Sequence, residues 1–186
     1  MGQVKIVENT GIEGLIVLEP TKHGDERGYF METYSQRDFE EIGIDCTFVQ
    51  DNESYSKKGV IRGLHFQNGE YSQAKLVRVV KGAVYDVAVD LRKDSPTFGK
   101  AYGVLLTEDN NRQFFIPENF AHGFLVLSDD AIFCYKVNKF YQPGDEGGLI
   151  WNDPELGINW PIDKVGGISN LTISEKDTKW PTLNQL

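Results

Sequence analysis

Seven consecutive residues combine side chains that bind anions with one that moves protons. The segment 61–67 reads I-R-G-L-H-F-Q, so an arginine, a histidine and an amide interrupt a run typical of a buried strand. Charged side chains are rarely buried unless they are paired. Arg62 and His65 together are typical of a pocket that holds an anion and transfers a proton. The alternative is an edge strand whose polar residues face water.

Strand periodicity conflicts with a shared role for Arg62 and His65. Side chains alternate between the two faces of a strand, so residues three apart face opposite ways. If both residues serve one site, the strand must bend or bulge between them. Gly63 is the residue that would allow such an irregularity.

The composition limits the class of protein and its partners. The chain has 186 residues, of which 40% are hydrophobic and 25% charged, enough for one globular domain with a real core. The net charge of −9 argues against nonspecific binding to nucleic acid or to an anionic membrane surface. It permits a small anionic ligand in a local cationic pocket, because salt screens distant charges. Abundant Phe and Tyr favour β-structure and an aromatic-lined pocket.

The sequence contains neither a membrane-spanning run nor a signal peptide. The first ten residues, M-G-Q-V-K-I-V-E-N-T, lack an apolar core, and no apolar run elsewhere approaches spanning length. Cys46 and Cys134 lie far apart without metal-type spacing, which favours two reduced thiols. These features predict a cytoplasmic protein.

Many short strands separated by frequent turns predict an all-β fold, an antiparallel jelly-roll sandwich or barrel with a few short helices. We expect one domain, with N-terminal strands and a short helix in residues 1–48, the jelly-roll core in 49–140 and a loop-rich segment packed on it in 141–186. The best helix candidate is 35–42, with Ser35 as N-cap, Asp38 completing a capping box and Gly43 as the stop.

The predicted strand 49–56 has no apolar face. Gln50, Asn52, Ser54 and Ser56 share one side, and acidic residues and a tyrosine share the other. A solvated edge strand explains this pattern. The wall of a polar pocket explains it too, because amides and hydroxyls supply hydrogen-bond donors and acceptors without charge.

A metal site is disfavoured by the histidine pattern. The chain has three histidines, His23, His65 and His122, and Gln67 stands where a His-x-His pair would need its second member. Zinc or iron would then depend on carboxylates for the remaining ligands. No nucleophile elbow and no Walker or Rossmann glycine motif is present. Acid–base chemistry by His65 remains, with Tyr135 and Lys75 as plausible partners.

Eight segments, in order along nearly the whole chain, resemble the dTDP-4-dehydrorhamnose 3,5-epimerase family of cupin-fold sugar-nucleotide epimerases. They are D-E-R-G-Y-F-M-E-T-Y (25–34), Q-D-N-E-S-Y-S (50–56), V-I-R-G-L-H-F-Q (60–67), K-L-V-R-V-V-K-G (75–82), D-V-A-V-D-L-R (86–92), I-P-E-N-F-A-H-G-F (116–124), W-N-D-P-E-L-G-I-N-W-P (151–161) and S-E-K-D (174–177). One departure is Asn119, where the family usually has glycine. Asparagine tolerates a left-handed backbone, so we expect the turn to survive.

The resemblance implies a cupin jelly roll, a homodimer, and no metal or other cofactor. It implies a dTDP-4-dehydro-6-deoxy-hexose as substrate, on the way to dTDP-rhamnose. It also implies that His65 is the general base and is paired with Asp177, that Tyr135 reprotonates the opposite face, and that Lys75 lies near the keto oxygen. A ketone at C4 acidifies the hydrogens at C3 and C5, and an ammonium near its oxygen stabilises the enolate.

The resemblance further implies a nucleotide-binding set and a substrate contact from His122. The residues that match the positions holding thymidine diphosphate are Arg27, Glu32, Gln50, Asn52, Arg62, Glu146 and Lys176, with Phe30 stacking on the base.

Each role has a structural alternative: Asp177 could complete a capping box with Ser174, Tyr135 could be a core residue, Lys75 a solvated one and His122 a buried structural histidine. Two rival functions remain open, a single-centre epimerase and a non-catalytic sugar-binding cupin.

Overall fold

Strands form most of the regular structure in the computed structural model, which describes residues 3–186. In chain order they are β1 (Val4–Asn9), β2 (Ile16–Pro20), β3 (Lys22–Asp25), β4 (Gly28–Met31), β5 (Gln50–Lys57), β6 (Val60–Gln67), β7 (Lys75–Lys81), β8 (Ala83–Asp90), β9 (Ala101–Thr107), β10 (Gln113–Ile116), β11 (Phe120–Val126), β12 (Asp130–Val137), β13 (Glu146–Gly148) and β14 (Thr172–Ile173).

Two sheets pack face to face as a sandwich. The first has the order β1-β2-β10-β7-β12-β5, and the second has the order β13-β6-β11-β8-β9, with β14 added in parallel to β6. All other pairs are antiparallel. This architecture confirms the all-β jelly-roll prediction. It also places β6 inside its sheet, so the edge-strand interpretation of Ile61–Gln67 is wrong.

The core between the sheets follows from the alternation of side chains along each strand. In β12, Phe133 is 1% exposed and packs in the central cluster, and Tyr135 packs against the same cluster. Val77 and Val79 of β7 join them from the neighbouring strand. Period-two alternation therefore directs these side chains toward the second sheet.

A second apolar layer covers the outer face of the second sheet. Trp151, Leu156 and Trp160 of the C-terminal segment pack there against Ile61 and Leu125. Strand β11 is buried at all seven positions, so it is covered on both sides. The segment contains four of the five short 3-10 helices found within residues 3–186; the five are Gly69–Tyr71, Pro154–Leu156, Ile162–Val165, Ile168–Asn170 and Leu183–Gln185.

The single α-helix within residues 3–186, α1 (Gln36–Glu41), covers part of the outer face of the first sheet through Phe39. Ser35 caps it by accepting a hydrogen bond from the Asp38 backbone N–H, as predicted. The predicted capping box is incomplete, because the Asp38 carboxylate instead accepts from the Gln3 backbone N–H at 3.0 Å. Gly43, at φ 89°, ends the helix. No helix in this range is long and apolar enough to cross a membrane.

A separate hairpin, β3–β4, lies outside the two large sheets. Strand β4 ends at Met31 and, within residues 3–186, pairs only with β3. Tyr29 and Phe30 on β4 are 61% and 64% exposed. Tyr34 follows the hairpin and packs its ring edge-on against Phe39.

Candidate active site

A cavity of about 220 Å³ lies between the inner faces of the two sheets. Its lining is unusually rich in groups that titrate or donate hydrogen bonds. The lining residues are Ser54, Arg62, His65, Phe66, Gln67, Gln73, Lys75, His122, Phe124, Phe133, Tyr135, Tyr141 and Glu146.

A bulge in β6 brings Arg62 and His65 to the same cavity. His65 is paired with His122, and Arg62 with Phe124, so the two residues Gly63 and Leu64 lie opposite one residue of β11. Because β6 contains one extra residue here, the alternation of side chains shifts by one position, and His65 points to the same side of the strand as Arg62. The irregularity expected at Gly63 is therefore confirmed.

Glycine is required at this bulge by close contact between the two strands. Gly63 has φ 112°, and a Cβ there would lie 2.6 Å from the His122 carbonyl oxygen. A Cβ at the facing Gly123 would lie 2.5 Å from the Arg62 carbonyl oxygen. Both distances are far shorter than any real carbon contact. The Gly63–Leu64 peptide bond is cis.

His65 forms a short hydrogen bond with a buried carboxylate from the far end of the chain. Its Nε2 lies 2.6 Å from Asp177 Oδ1, across a sequence separation of 112 residues. The His65 side chain is 31% exposed, whereas that of Asp177 is 5% exposed. Because Nε2–H donates to the carboxylate, Nδ1 keeps the lone pair that can accept a proton.

Three further contacts fix Asp177. Its backbone N–H donates to Ser174 Oγ at 3.1 Å, so the capping turn considered as an alternative exists alongside the contact with His65. Gly63 N and Trp180 Nε1 donate to its carboxylate at 3.4 and 3.2 Å. Burial acts to raise the pKa of Asp177, but the hydrogen bond and charge of His65 outweigh it, and the pKa lies below its usual range.

Lys75 and Tyr135 reach the same cavity from the opposite sheet. Burial lowers the pKa of Lys75 to about 8, although the charges of Asp86 and Glu146 oppose this shift. Burial raises the pKa of the Tyr135 phenol, against the lowering effect of Arg62. Near neutral pH the cavity therefore presents an ammonium and a protonated phenol.

A second histidine–carboxylate pair lies beside the first. His122 Nε2 is 3.0 Å from both carboxylate oxygens of Asp86, and the two side chains are 8% and 0% exposed. The Phe133 ring stacks on His122 with 5.9 Å between centroids. Burial lowers the pKa of His122, which keeps its imidazole neutral.

The mouth of the cavity carries a network of charged and aromatic groups. Glu146 accepts a close hydrogen bond from Lys176 and another, at 3.3 Å, from the Tyr141 hydroxyl. Arg62 is held by the Ser56 hydroxyl, which accepts from its Nε at 3.0 Å. These cations are available to an anionic ligand that enters from this side.

Gln50 and Asn52 lie on the more buried face of β5, hydrogen-bonded to each other at 2.7 Å, but neither lines the cavity. Strand β5 is an edge strand, so both interpretations of this polar segment hold in part. Asn52 instead lines a separate cleft of about 390 Å³ with Arg78 and Gln113. That cleft contains no histidine, and the acid–base groups lie in the smaller cavity.

Three further predicted binding residues, besides Gln50 and Asn52, do not line the cavity of this chain. Arg27 and Phe30 lie on the exposed hairpin, where Arg27 is 85% exposed and its Nε donates to Asp25 at 3.1 Å. Glu32 follows the hairpin and is also exposed.

Sequence reasoning missed Asp86, Trp180 and Tyr141. Asp86 could have been noticed as a charge inside an otherwise apolar strand. No sequence pattern indicated Trp180, because its position depends on a contact with a distant residue. Its indole ring packs on Gly148, where a Cβ would lie 2.5 Å from the ring. Among residues 3–186, no three His, Cys, Asp or Glu side chains are grouped as they would be around a metal ion.

The arrangement supplies the parts for proton transfer next to a carbonyl group. A histidine supported by a carboxylate can take a proton, an ammonium can stabilise an enolate oxygen, and a phenol can return a proton.

Comparisons with known proteins identify the family of this chain. The family model for dTDP-4-dehydrorhamnose 3,5-epimerase matches residues 9–185. A dTDP-4-dehydrorhamnose 3,5-epimerase of Methanothermobacter thermautotrophicus is 53% identical over 176 residues, which are 95% of this chain and 93% of that protein.

Solved structures give the same result. The crystal structure of the enzyme of that name from Elizabethkingia anophelis matches with a TM-score of 0.92 and 46% identity over 98% of both chains. A dTDP-6-deoxy-D-glucose-3,5-epimerase from Legionella pneumophila, solved in complex with dTDP-4-keto-L-rhamnose, matches with a TM-score of 0.91 and 47% identity over 98% of this chain and 94% of that one. The chain therefore belongs to the dTDP-4-dehydrorhamnose 3,5-epimerase family.

Proposed function

We propose that this protein inverts C3 and C5 of dTDP-4-dehydro-6-deoxy-D-glucose to give dTDP-4-dehydro-L-rhamnose. One observation carries the proposal: the His65–Asp177 pair, Lys75 and Tyr135 converge on one cavity. Membership of the epimerase family supplies the substrate class.

The first step is removal of a proton next to the C4 ketone. His65 Nδ1 accepts the proton, and the electrons of the broken C–H bond form an enolate whose charge lies on the C4 oxygen. The Lys75 ammonium stabilises that oxygen more in the transition state than in the ground state. Asp177, held at 2.6 Å from Nε2, stabilises the imidazolium that forms.

The second step is protonation of the same carbon from the opposite face. Tyr135 is the donor in this proposal, and the raised pKa of its phenol keeps the proton in place until the enolate forms. The new C–H bond inverts the centre, and exchange with solvent then returns a proton to Tyr135 and removes one from His65. Repetition at the second carbon completes the reaction.

The nucleotide end of the substrate is assigned to the mouth of the cavity. Arg62 and Lys176 suit the diphosphate, since charge-assisted hydrogen bonds to phosphate are strong. Glu146 holds Lys176 in position, Gln50 and Asn52 extend the polar wall along β5, and His122 contacts the sugar.

We also propose that the site is completed by a second copy of the chain. Arg27, Phe30 and Glu32 lie on or next to an exposed hairpin whose strands, among residues 3–186, pair only with each other. Strand β5, which carries Gln50 and Asn52, has one edge that no other strand in that range pairs with. A homodimer that seats the partner's hairpin beside the cavity would bring these residues to the nucleotide.

Mixing two inactive variants tests this arrangement. If the partner subunit supplies the hairpin, His65→Asn mixed with Arg27→Ala regenerates one intact site per heterodimer, and part of the activity returns. If Arg27 serves its own chain, each site of the heterodimer keeps one defect and no activity returns.

Deuterium wash-in tests the proposed reaction itself. The protein is incubated in D₂O with dTDP-4-dehydro-6-deoxy-D-glucose, and C3 and C5 are followed by NMR. Deuterium at both carbons with inverted configuration is the expected result. Label at one carbon alone identifies a single-centre epimerase, and no label at either contradicts a catalytic role on this substrate and leaves sugar binding.

A further inference from the structure

Asp86 is a fully buried carboxylate in an apolar strand, and the mechanism above assigns it no role. Its side chain is 0% exposed, and its neighbours Val84, Val87 and Ala88 are equally buried. Within residues 3–186 its only side-chain hydrogen-bond partner is His122.

Lys75, the cation that faces this pair, lies on the other side of the cavity. Lys75 projects from β7 of the first sheet, whereas Asp86 and His122 belong to the second sheet. Among the described residues, Lys75 forms no ion pair within 4 Å. The charges that favour its ammonium form are, in order of effect, those of Asp86 and Glu146.

A purely stabilising role explains this arrangement poorly. Removing a carboxylate from water is costly, and replacing a buried charged pair by apolar residues is often neutral or stabilising. The pair also faces the reaction cavity through His122, rather than the apolar layer behind the sheet. A function for the charge accounts for its position.

We propose that Asp86 is a positioning residue for the reaction: its carboxylate fixes the tautomer of His122 and supplies the negative charge that keeps Lys75 an ammonium. The Nε2–H of His122 donates to Asp86, which leaves Nδ1 as an acceptor for a sugar hydroxyl. The ammonium is the group assigned to the enolate oxygen, so this inference rests on the proposed function.

The surroundings of Lys75 determine the sign of the effect. Asp86 and Glu146 favour its charged form, burial disfavours it, and His122 stays neutral because burial lowers its pKa. Arg62 and His65 line the same cavity and carry no negative charge. Removing the charge of Asp86 therefore lowers the pKa of Lys75 further below about 8.

The first experiment compares wild type with Asp86→Asn, which keeps the size of the side chain and removes its charge. The alkaline limb of kcat/KM should move to lower pH by about one unit. In the free protein, the Lys75 signal of ¹³C-labelled lysine, assigned with Lys75→Arg, should titrate lower by the same amount. Unchanged titration of Lys75 overturns the proposal.

Asp90→Asn is the matched control. Asp90 lies on the same strand and is also 0% exposed, but it binds Arg92, Ser95 and Thr97. Asp90→Asn should lower the stability of the protein. It should leave unchanged both the alkaline limb of kcat/KM and the pH at which Lys75 titrates. Asp86→Glu keeps the charge and should retain the alkaline limb of wild type.

Two measurements on wild type keep the outcomes distinct. Absence of turnover contradicts the proposed function, whereas the Lys75 titration still tests Asp86. If Asp86→Asn does not fold, the ¹⁵N chemical shifts of His122 in the wild-type protein test the proposal instead. We expect a neutral imidazole with the proton on Nε2 from about pH 6 to 9. An Nδ1–H tautomer, or titration of His122 in that range, overturns the proposal.

Discussion

Two histidine–aspartate pairs lie side by side in this protein, and their surroundings differ sharply. His65 and His122 are direct partners across β6 and β11. The His65 side chain is 31% exposed and the His122 side chain 8%. The carboxylate for His65 comes from the C-terminal segment, whereas that for His122 comes from the adjacent strand β8.

The difference shows that residue type alone does not define a proton-transfer pair. Burial lowers the pKa of His122, which favours its neutral form, whereas burial raises the pKa of Asp86 and the contacts with His122 and Lys75 act to lower it. At the other pair, the contact with His65 overcomes burial and lowers the pKa of Asp177, which stays ionised. We assign the accessible pair to proton transfer and the buried pair to fixed electrostatics.

Substituting each histidine by asparagine is the strongest test of this comparison. His65→Asn removes the base and should reduce kcat/KM by roughly 10²–10⁴-fold, with loss of deuterium exchange. His122→Asn removes one substrate contact and should cost about tenfold, mainly in KM. Equal losses from the two variants would contradict the assignment.

The two aspartates should separate by the kind of effect. Asp177→Asn can present an amide N–H to Nε2 and so favour the wrong tautomer of His65. We expect kcat to fall by about 10²-fold at every pH, since orientation of the base is lost throughout. Asp86→Asn should instead act through the alkaline limb. A fall in kcat that depends on pH in Asp177→Asn would contradict the different roles assigned to the two aspartates.

Trp180 offers a finer test of the accessible pair. Trp180→Phe removes the donor 3.2 Å from Asp177 Oδ1 and keeps a ring beside Gly148. The expected loss is about threefold to tenfold in kcat with KM unchanged. Trp160→Phe is the control, because Trp160 donates to the Trp151 carbonyl oxygen within the outer apolar layer. Trp160→Phe should lower the stability of the protein and leave kcat unchanged.

The smallest expected effect is on stability against pH. The folded-state pKa of Asp177 lies below its unfolded value, so its stabilising contribution is complete above about pH 4 and disappears as pH falls through the folded pKa. Urea unfolding should show wild type more stable than Asp177→Asn at pH 6, with the gap narrowing below pH 4. A constant gap would argue against an ionised Asp177.

The sequence predicted the sandwich well, because strand periodicity is a local property. Many short strands separated by frequent turns were enough to indicate the antiparallel jelly roll. Gly63 indicated the position of the bulge, because only glycine tolerates the close approach of the β11 backbone at that position. Asn119 adopts the left-handed backbone expected of it, at φ 64°.

Contacts between distant segments were less accessible to sequence reasoning. No local pattern links Asp177 to His65, and only the family resemblance suggested that pair. Asp86 meets His122 through the register of β8 and β11, which periodicity does not specify. Strand β3 escaped prediction because K-H-G-D contains no apolar residue.

The position of Asp177 ties the two ends of the sequence to one proton-transfer pair. The carboxylate belongs to a segment that follows every strand of the sandwich and is held by β14, Ser174 and the Trp180 ring against Gly148. The sheets position His65, but its carboxylate partner is present only when residues 174–180 are docked against β6. Docking of the last residues of the chain is therefore a condition for a complete base.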